Sequence, residues 1–332
     1  MSSSSIAATI LFVSKEFALY GYFIILIAGV IGNIGNILVF TCYKIFRRNQ
    51  CAFYLIAVTT IDCCLLLAAL PFRITELAFA FDLTQASLIW CKLRAMISYT
   101  LSLTTFSAVC FAAIDQYLST NYHVWLRQLS TLKLAHRLIY SSIIIWIIYC
   151  SMFLIFFEIQ PTAGCTIYNV NFARYFSYFH YIILNGMIPV SVSSIFSLLA
   201  YLNVRRIVQM RMIVVRRKLD KQLTAMVLIK VVFLVCTLLP SIIFRIYILN
   251  VTVDPNDIIR IAIHQLVSNI AYALYYINPA CTFYLFLLVS PRFRRQVKYT
   301  YTLIKNFSRR YCRAQRQNQI APNFEERSDL DQ

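Results

Sequence analysis

Asp62 lies in the middle of the apolar stretch 55–70, with no other charge beside it in sequence. A carboxylate at the depth of a lipid bilayer is expensive, so it needs a partner or a function. Three other polar residues sit midway along apolar runs: Asn36, Thr105 and Asn278, the last followed by Pro279. At similar depth, Asp62, Asn36, Asn278 and Thr105 would form one polar node. Such a node holds the carboxylate ionised beside a small cation such as sodium, or keeps it neutral by protonation. A purely structural hydrogen-bond cluster is the alternative. Catalytic spacings are missing: there is no Gly-x-Ser-x-Gly, no His-Glu-x-x-His and no pair of intramembrane catalytic aspartates. His123, His136, His180 and His264 lack metal-ligand spacing. We therefore expect no enzyme, no metal and no cofactor beyond that ion.

The elements that carry these residues are long apolar runs. The chain is 60% hydrophobic and only 13% charged. A soluble domain has about 45–50% apolar and about 25% charged residues, so this chain could not cover itself with polar surface. A bilayer core takes about 20 apolar helical residues. Seven runs qualify: 18–43, 52–78, 88–118, 138–157, 175–204, 223–250 and 258–288. Lipid offers no hydrogen bonds to bare backbone, so each run must be a helix. The fold class is thus an all-α integral membrane protein, a seven-transmembrane helix bundle. The formal charge of +18 does not imply nucleic acid, because Lys and Arg cluster between the runs while the aromatics interleave the runs.

Orientation follows from those clusters. Basic residues follow the first run (Lys44, Arg47, Arg48), the third (Arg127, Lys133, Arg137), the fifth (Arg205 through Lys221) and the seventh (Arg292, Arg294, Arg295, Lys298). The other connections carry Asp82, Glu158, Asp254 and Asp257. The expectation is a short extracellular amino terminus over 1–17, a bundle over 18–288, an amphipathic helix on the inner membrane surface over 289–304, and a disordered cytoplasmic tail over 305–332. No basic leader precedes the first apolar stretch, so the first span itself would direct insertion. The sequon Asn250-Val251-Thr252 falls outside but close to the bilayer, and Asn306-Phe307-Ser308 falls inside.

The order of motifs along the runs resembles the rhodopsin-like G-protein-coupled receptors. Gly35-Asn36-Ile37-Leu38-Val39 is similar to their first-helix motif, and Asp62 with Pro71 to their second. Cys91 heads the third run and Asp115-Gln116-Tyr117 closes it. Trp146, Pro189, Pro240 and Asn278-Pro279 follow on the next four, and Ser290-Pro291-Arg292-Phe293 opens the expected surface helix. The resemblance implies a receptor in the plasma membrane that passes the binding of an extracellular ligand to a heterotrimeric G protein. It also implies a Cys91–Cys165 disulfide, with both cysteines on the oxidising side. Cys312, after the amphipathic stretch, is a palmitoylation candidate, with a free thiol as the alternative.

The chain departs from the family's pattern at several switch positions. Gln116 stands where the family carries Arg, Leu238 where it carries Trp, Thr282 where it carries Tyr (Tyr284 is near), and Ser197 where it carries a further Tyr. Gln cannot make the charge-assisted pair that Arg makes with a carboxylate, which leaves Asp115 short of its expected neighbour. Lys230, in the run that holds Pro240, stands at a bundle-facing position the family keeps apolar. We expect it either to supply a cation near Asp115 or the Asn278 region, or to snorkel to the interface.

The resemblance places the ligand inside the bundle. Ser98 stands where amine receptors carry Asp, which disfavours a biogenic amine. Tyr272 stands where opsins carry the retinal Lys, which excludes a Schiff base. Arg73, Glu76, Tyr99, Tyr178, Tyr181, Arg245 and Ser268 complete an aromatic, mixed-charge surface similar to that of neuropeptide receptors. The structural alternative assigns the tyrosines to the interfacial aromatic belt and pairs Arg73 with Glu76 one turn away. Gln116 also leaves open a non-coupling or scavenging receptor. A transporter is the more distant alternative, since no internal repeat marks the chain.

Overall fold

The computed structural model describes residues 3–43, 46, 49–79, 87–160, 164–207, 214–251, 254 and 257–320, with the side chains of 3, 206–220, 304 and 307–320 set aside. Among these residues 7 helices are long and apolar enough to cross a membrane: Ser4–Cys42, Gln50–Phe79, Leu88–Thr120, Leu132–Phe156, Val170–Arg205, Lys221–Asn250 and Ile258–Val289. Each closes its own backbone hydrogen bonds, as lipid demands. Their outward faces are lined with large apolar side chains such as Ile24, Ile31, Ile144, Ile148 and Ile155. A belt of exposed isoleucine on this scale marks contact with lipid rather than water.

The first span packs on the second and the seventh, and the sixth packs on the fifth and the seventh. The third runs through the middle, touching the second, fourth, fifth and sixth. The first and seventh approach closely at Gly29. A Cβ there would sit 2.8 Å from the Ala280 Cβ, 3.1 Å from its Cα and 2.5 Å from a Leu66 methyl. Gly29→Ala will therefore destabilise the bundle by about 1–3 kcal/mol through overpacking. Gly21→Ala, which meets nothing within 4 Å, will leave the melting temperature unchanged or raise it, since alanine favours helix. Thermal unfolding in detergent measures both.

The helix ends differ from the hydropathy boundaries for local reasons. The first helix starts at Ser3 and runs unbroken to Cys42, taking in most of the segment expected as a separate amino-terminal arm. No Gly or Pro interrupts it before Gly21. The fourth starts at Leu132 rather than 138, because the Thr131 hydroxyl accepts the Leu134 amide and caps it. The fifth opens with a short α-helix, Val170–Tyr175, winds as a π-helix over Phe176–Met187, then continues as α-helix through Ile188–Ile207.

Two strands, β1 (Phe157–Gln160) and β2 (Gly164–Ile167), form an antiparallel hairpin before the fifth span, with Ile159 opposite Cys165. Gly164 has a φ of 67°, a left-handed conformation that glycine adopts without steric cost. Cys165 is bonded to Cys91 at the start of the third span.

The last helix, Pro291–Ile320, belongs to a separate unit. It corrects both the expected end of the amphipathic helix at 304 and the expected disorder from 305. Residues 305–320 contain no Gly or Pro, and the first breaker after Pro291 is Pro322, so helix propensity carries the backbone on. The side chain of the lipidation candidate Cys312 lies outside the described residues. Thr252 of the sequon, Lys44, Arg47, Arg48, Asp82 and the tail 321–332 also lie outside them.

Candidate functional site

Asp62 is fully buried, and both of its oxygens are engaged. Oδ1 accepts the Thr105 hydroxyl at 3.1 Å and Oδ2 accepts the Lys230 Nζ at 3.2 Å. Lys230 is 1% exposed, so it does not snorkel. Its ammonium also donates to the Asn278 carbonyl at 3.2 Å and to the Thr282 hydroxyl at 2.7 Å. All three ammonium donors are thereby satisfied, as a buried ion pair requires if it is not to destabilise the fold. The Asn278 side chain donates in turn to the Thr237 hydroxyl at 3.1 Å. One polar core thus joins the second, third, sixth and seventh spans.

Two sequence expectations change here. Asn36 is buried, yet neither its Nδ2 nor its Oδ1 has a hydrogen-bond partner. Asn33, one turn earlier, makes the contact to the seventh span instead, donating to the Pro279 carbonyl at 3.0 Å. Lys230 reaches the Asn278 region but not Asp115, whose carboxylate accepts the Ser130 hydroxyl at 2.5 Å. An ammonium already sits on Asp62, so a sodium ion at that carboxylate has a tethered competitor.

Towards the end of the bundle away from the hairpin, Gln116 accepts the Thr224 hydroxyl at 2.7 Å and so ties the third span to the sixth. The Tyr117 ring lies 5.6 Å from that of Phe196 on the fifth. The helix-interior prolines Pro240 and Pro279 lie on the sixth and seventh spans, the two that hold Lys230 and Asn278. The proline ring removes an amide donor from each helix.

At the hairpin end the bundle holds a cavity of about 390 Å³. Cys165, Thr166 and Ile167 of β2 lie against it, and Arg73, Ser98, Tyr99, Tyr181, Arg245, Ser268 and Tyr272 line its walls. The Arg73 guanidinium bonds Glu76 at 2.9 Å and lies 5.0 Å from the centre of the Tyr272 ring. Arg245 donates to the Ser177 hydroxyl at 2.9 Å and lies 5.5 Å from the Tyr181 ring centre. Deeper in, Ser102 bonds the Asn185 side-chain oxygen at 3.0 Å and the Tyr275 hydroxyl. Beside Tyr99, the buried His180 is enclosed by the rings of Tyr149, Phe153 and Phe176.

Two of the expected lining residues do not reach the cavity. Glu76 is turned to Arg73, and Tyr178 is 47% exposed on the outside of the bundle. In the π-helical stretch Ser177, Tyr181 and Asn185 share the inner face, which turns Tyr178 away. Sequence reasoning missed Arg94, Ser102, Asn185, Tyr275 and Tyr276, all of which line the cavity. For Arg94 a signal existed, since it follows Cys91 by one turn on the third span; its nearness to the interface concealed it.

Seven membrane-spanning helices around a charged, internally satisfied core, with a cavity roofed by a disulfide-tied hairpin, define a multi-pass membrane protein with a site at one end. No family model matches the sequence, and no curated protein is similar to it.

Proposed function

We propose that this chain is a receptor of the rhodopsin-like kind, lying in the plasma membrane with the hairpin end extracellular and the basic tail in the cytoplasm. On this reading it binds an extracellular, peptide-like ligand in the cavity and signals to a heterotrimeric G protein. The observation that carries the reading is the relation of cavity to core. Tyr275 and Tyr276 line the cavity, and Asn278 and Thr282 on the same helix hold Lys230. A ligand that favours one arrangement of the seventh span therefore biases the contacts among four spans, and binding one state more tightly is what shifts an equilibrium. The segments assigned to the cytoplasm are basic in sequence: Arg127, the stretch 205–221 and residues 292–298. They suit an acidic partner surface, and some of their charge serves anionic lipid headgroups.

The second reading is a non-coupling or scavenging receptor. The neutral Gln116–Thr224 contact favours it, because it replaces an ionic switch with a bond that has no charge to release. The test is G-protein nucleotide exchange in membranes carrying the chain and its Gln116→Arg variant, with and without a peptide library. Peptide-dependent exchange by the native chain supports coupling. Silence in the native chain with exchange by the variant supports the non-coupling role. Silence in both, together with uptake of bound peptide into cells, supports scavenging.

A further inference from the structure

Among the described residues the cavity lining carries positive charge and no acidic side chain. The charge comes from three arginines, Arg73, Arg94 and Arg245. Arg73 is neutralised by Glu76. The other two are not: the salt bridges of the described residues are Arg73–Glu76 and Lys230–Asp62. The Nε atoms of Arg94 and Arg245 are buried and without a hydrogen-bond partner. Both arginines line the same cavity as Tyr99. Buried donors left unsatisfied on charged groups are costly. A fold keeps them where a ligand completes them.

We propose that the cavity takes the oxyanion of its ligand between Arg94 and Arg245, as the free carboxylate at the end of a short peptide with an aromatic or apolar terminal residue. The choice of a peptide rests on the receptor reading; the anion site stands on the cavity. A forked guanidinium matches a carboxylate with two parallel hydrogen bonds. The walls supply the rest: Tyr99, Tyr181 and Tyr272 can stack on the terminal side chain. A volume of about 390 Å³ is near the lower bound for ligand pockets, roughly 300–1,000 Å³. The cavity therefore admits the end of a peptide, not its length. An amidated terminus has no charge to offer and leaves both arginines unpaired.

The experiment uses the full chain in nanodiscs without G protein, so its outcome is independent of coupling. The probes are tetrapeptides ending in Phe or Tyr, each made as free acid and as amide, with an amidated phosphotyrosine peptide as the phosphate arm. Binding is read as a thermal shift. The free acids will stabilise the protein and the amides will not, with affinities differing by about ten- to a hundred-fold, the usual worth of a charged hydrogen-bond set. Arg94→Gln and Arg245→Gln will each remove that preference, and Arg245→Lys will keep part of it. Stabilisation by the phosphotyrosine amide alone assigns the site to phosphate and overturns the carboxylate. Without any probe, Arg94→Gln will melt at or above the native temperature, because it relieves an uncompensated charge. A lower apo melting temperature, or equal binding of acids and amides, overturns the proposal, as does failure of every acid to bind at millimolar concentration.

Discussion

Lys230→Met will cost the bundle about 3–5 kcal/mol, the usual effect of removing one partner from a buried ion pair. Methionine fills similar space, so lost volume contributes little. The loss falls on what remains: Asp62 keeps one hydrogen bond, from Thr105, and faces an apolar core with its other oxygen bare. The Asn278 carbonyl and the Thr282 hydroxyl lose the same donor. Thermal unfolding in detergent will show a melting temperature well below that of the native chain. The double variant Asp62→Asn with Lys230→Met will recover most of the loss, because a neutral pair has no charge to strand. A double-mutant cycle gives the coupling between the two side chains directly. If Lys230→Met melts with the native chain, Asp62 is held neutral and the ion-pair description of the core is wrong.

Replacing Cys91 and Cys165 together with serine will destabilise the protein by about 4 kcal/mol on the chain-entropy estimate for a loop of this size; the two cysteines are 74 residues apart. The functional loss will be larger than the stability loss. Cys165, Thr166 and Ile167 line the cavity, and the disulfide anchors their strand to the third span. Untied, the hairpin leaves the probes of the anion experiment without a roof, and their thermal shift will disappear. Reductant added to the native protein will reproduce the effect, and the serine variant will not respond to it. Unchanged probe binding in the serine variant would show that the hairpin holds its place without the bond.

The bundle was legible in the sequence because its signal is local. Long apolar runs without charge must be helices in lipid, and each run falls on a spanning helix. Asp62, Thr105 and Asn278 announced themselves in the same way, as polar residues inside such runs. Their wiring did not, because Lys230 and Asp62 are 168 residues apart and only packing brings them together. Asn36 shows the reverse error: its position draws attention, but Asn33 makes the contact. The π-helical stretch Phe176–Met187 leaves no mark, since apolar residues lie on every side of it, and an α-helical period does not show that Tyr178 faces outward. Residues 305–320 read as disordered by their charge and lack of apolar period, whereas their freedom from Gly and Pro is what the helix follows.

The cation at the centre of this bundle is delivered on a side chain. A free ion occupies a site in proportion to its level in the surrounding fluid. An ammonium on a covalent arm has an effective concentration set by geometry alone. Buried as it is, the Lys230–Asp62 pair is screened far less by salt than a surface pair. Dilute or saline surroundings leave that contact in place.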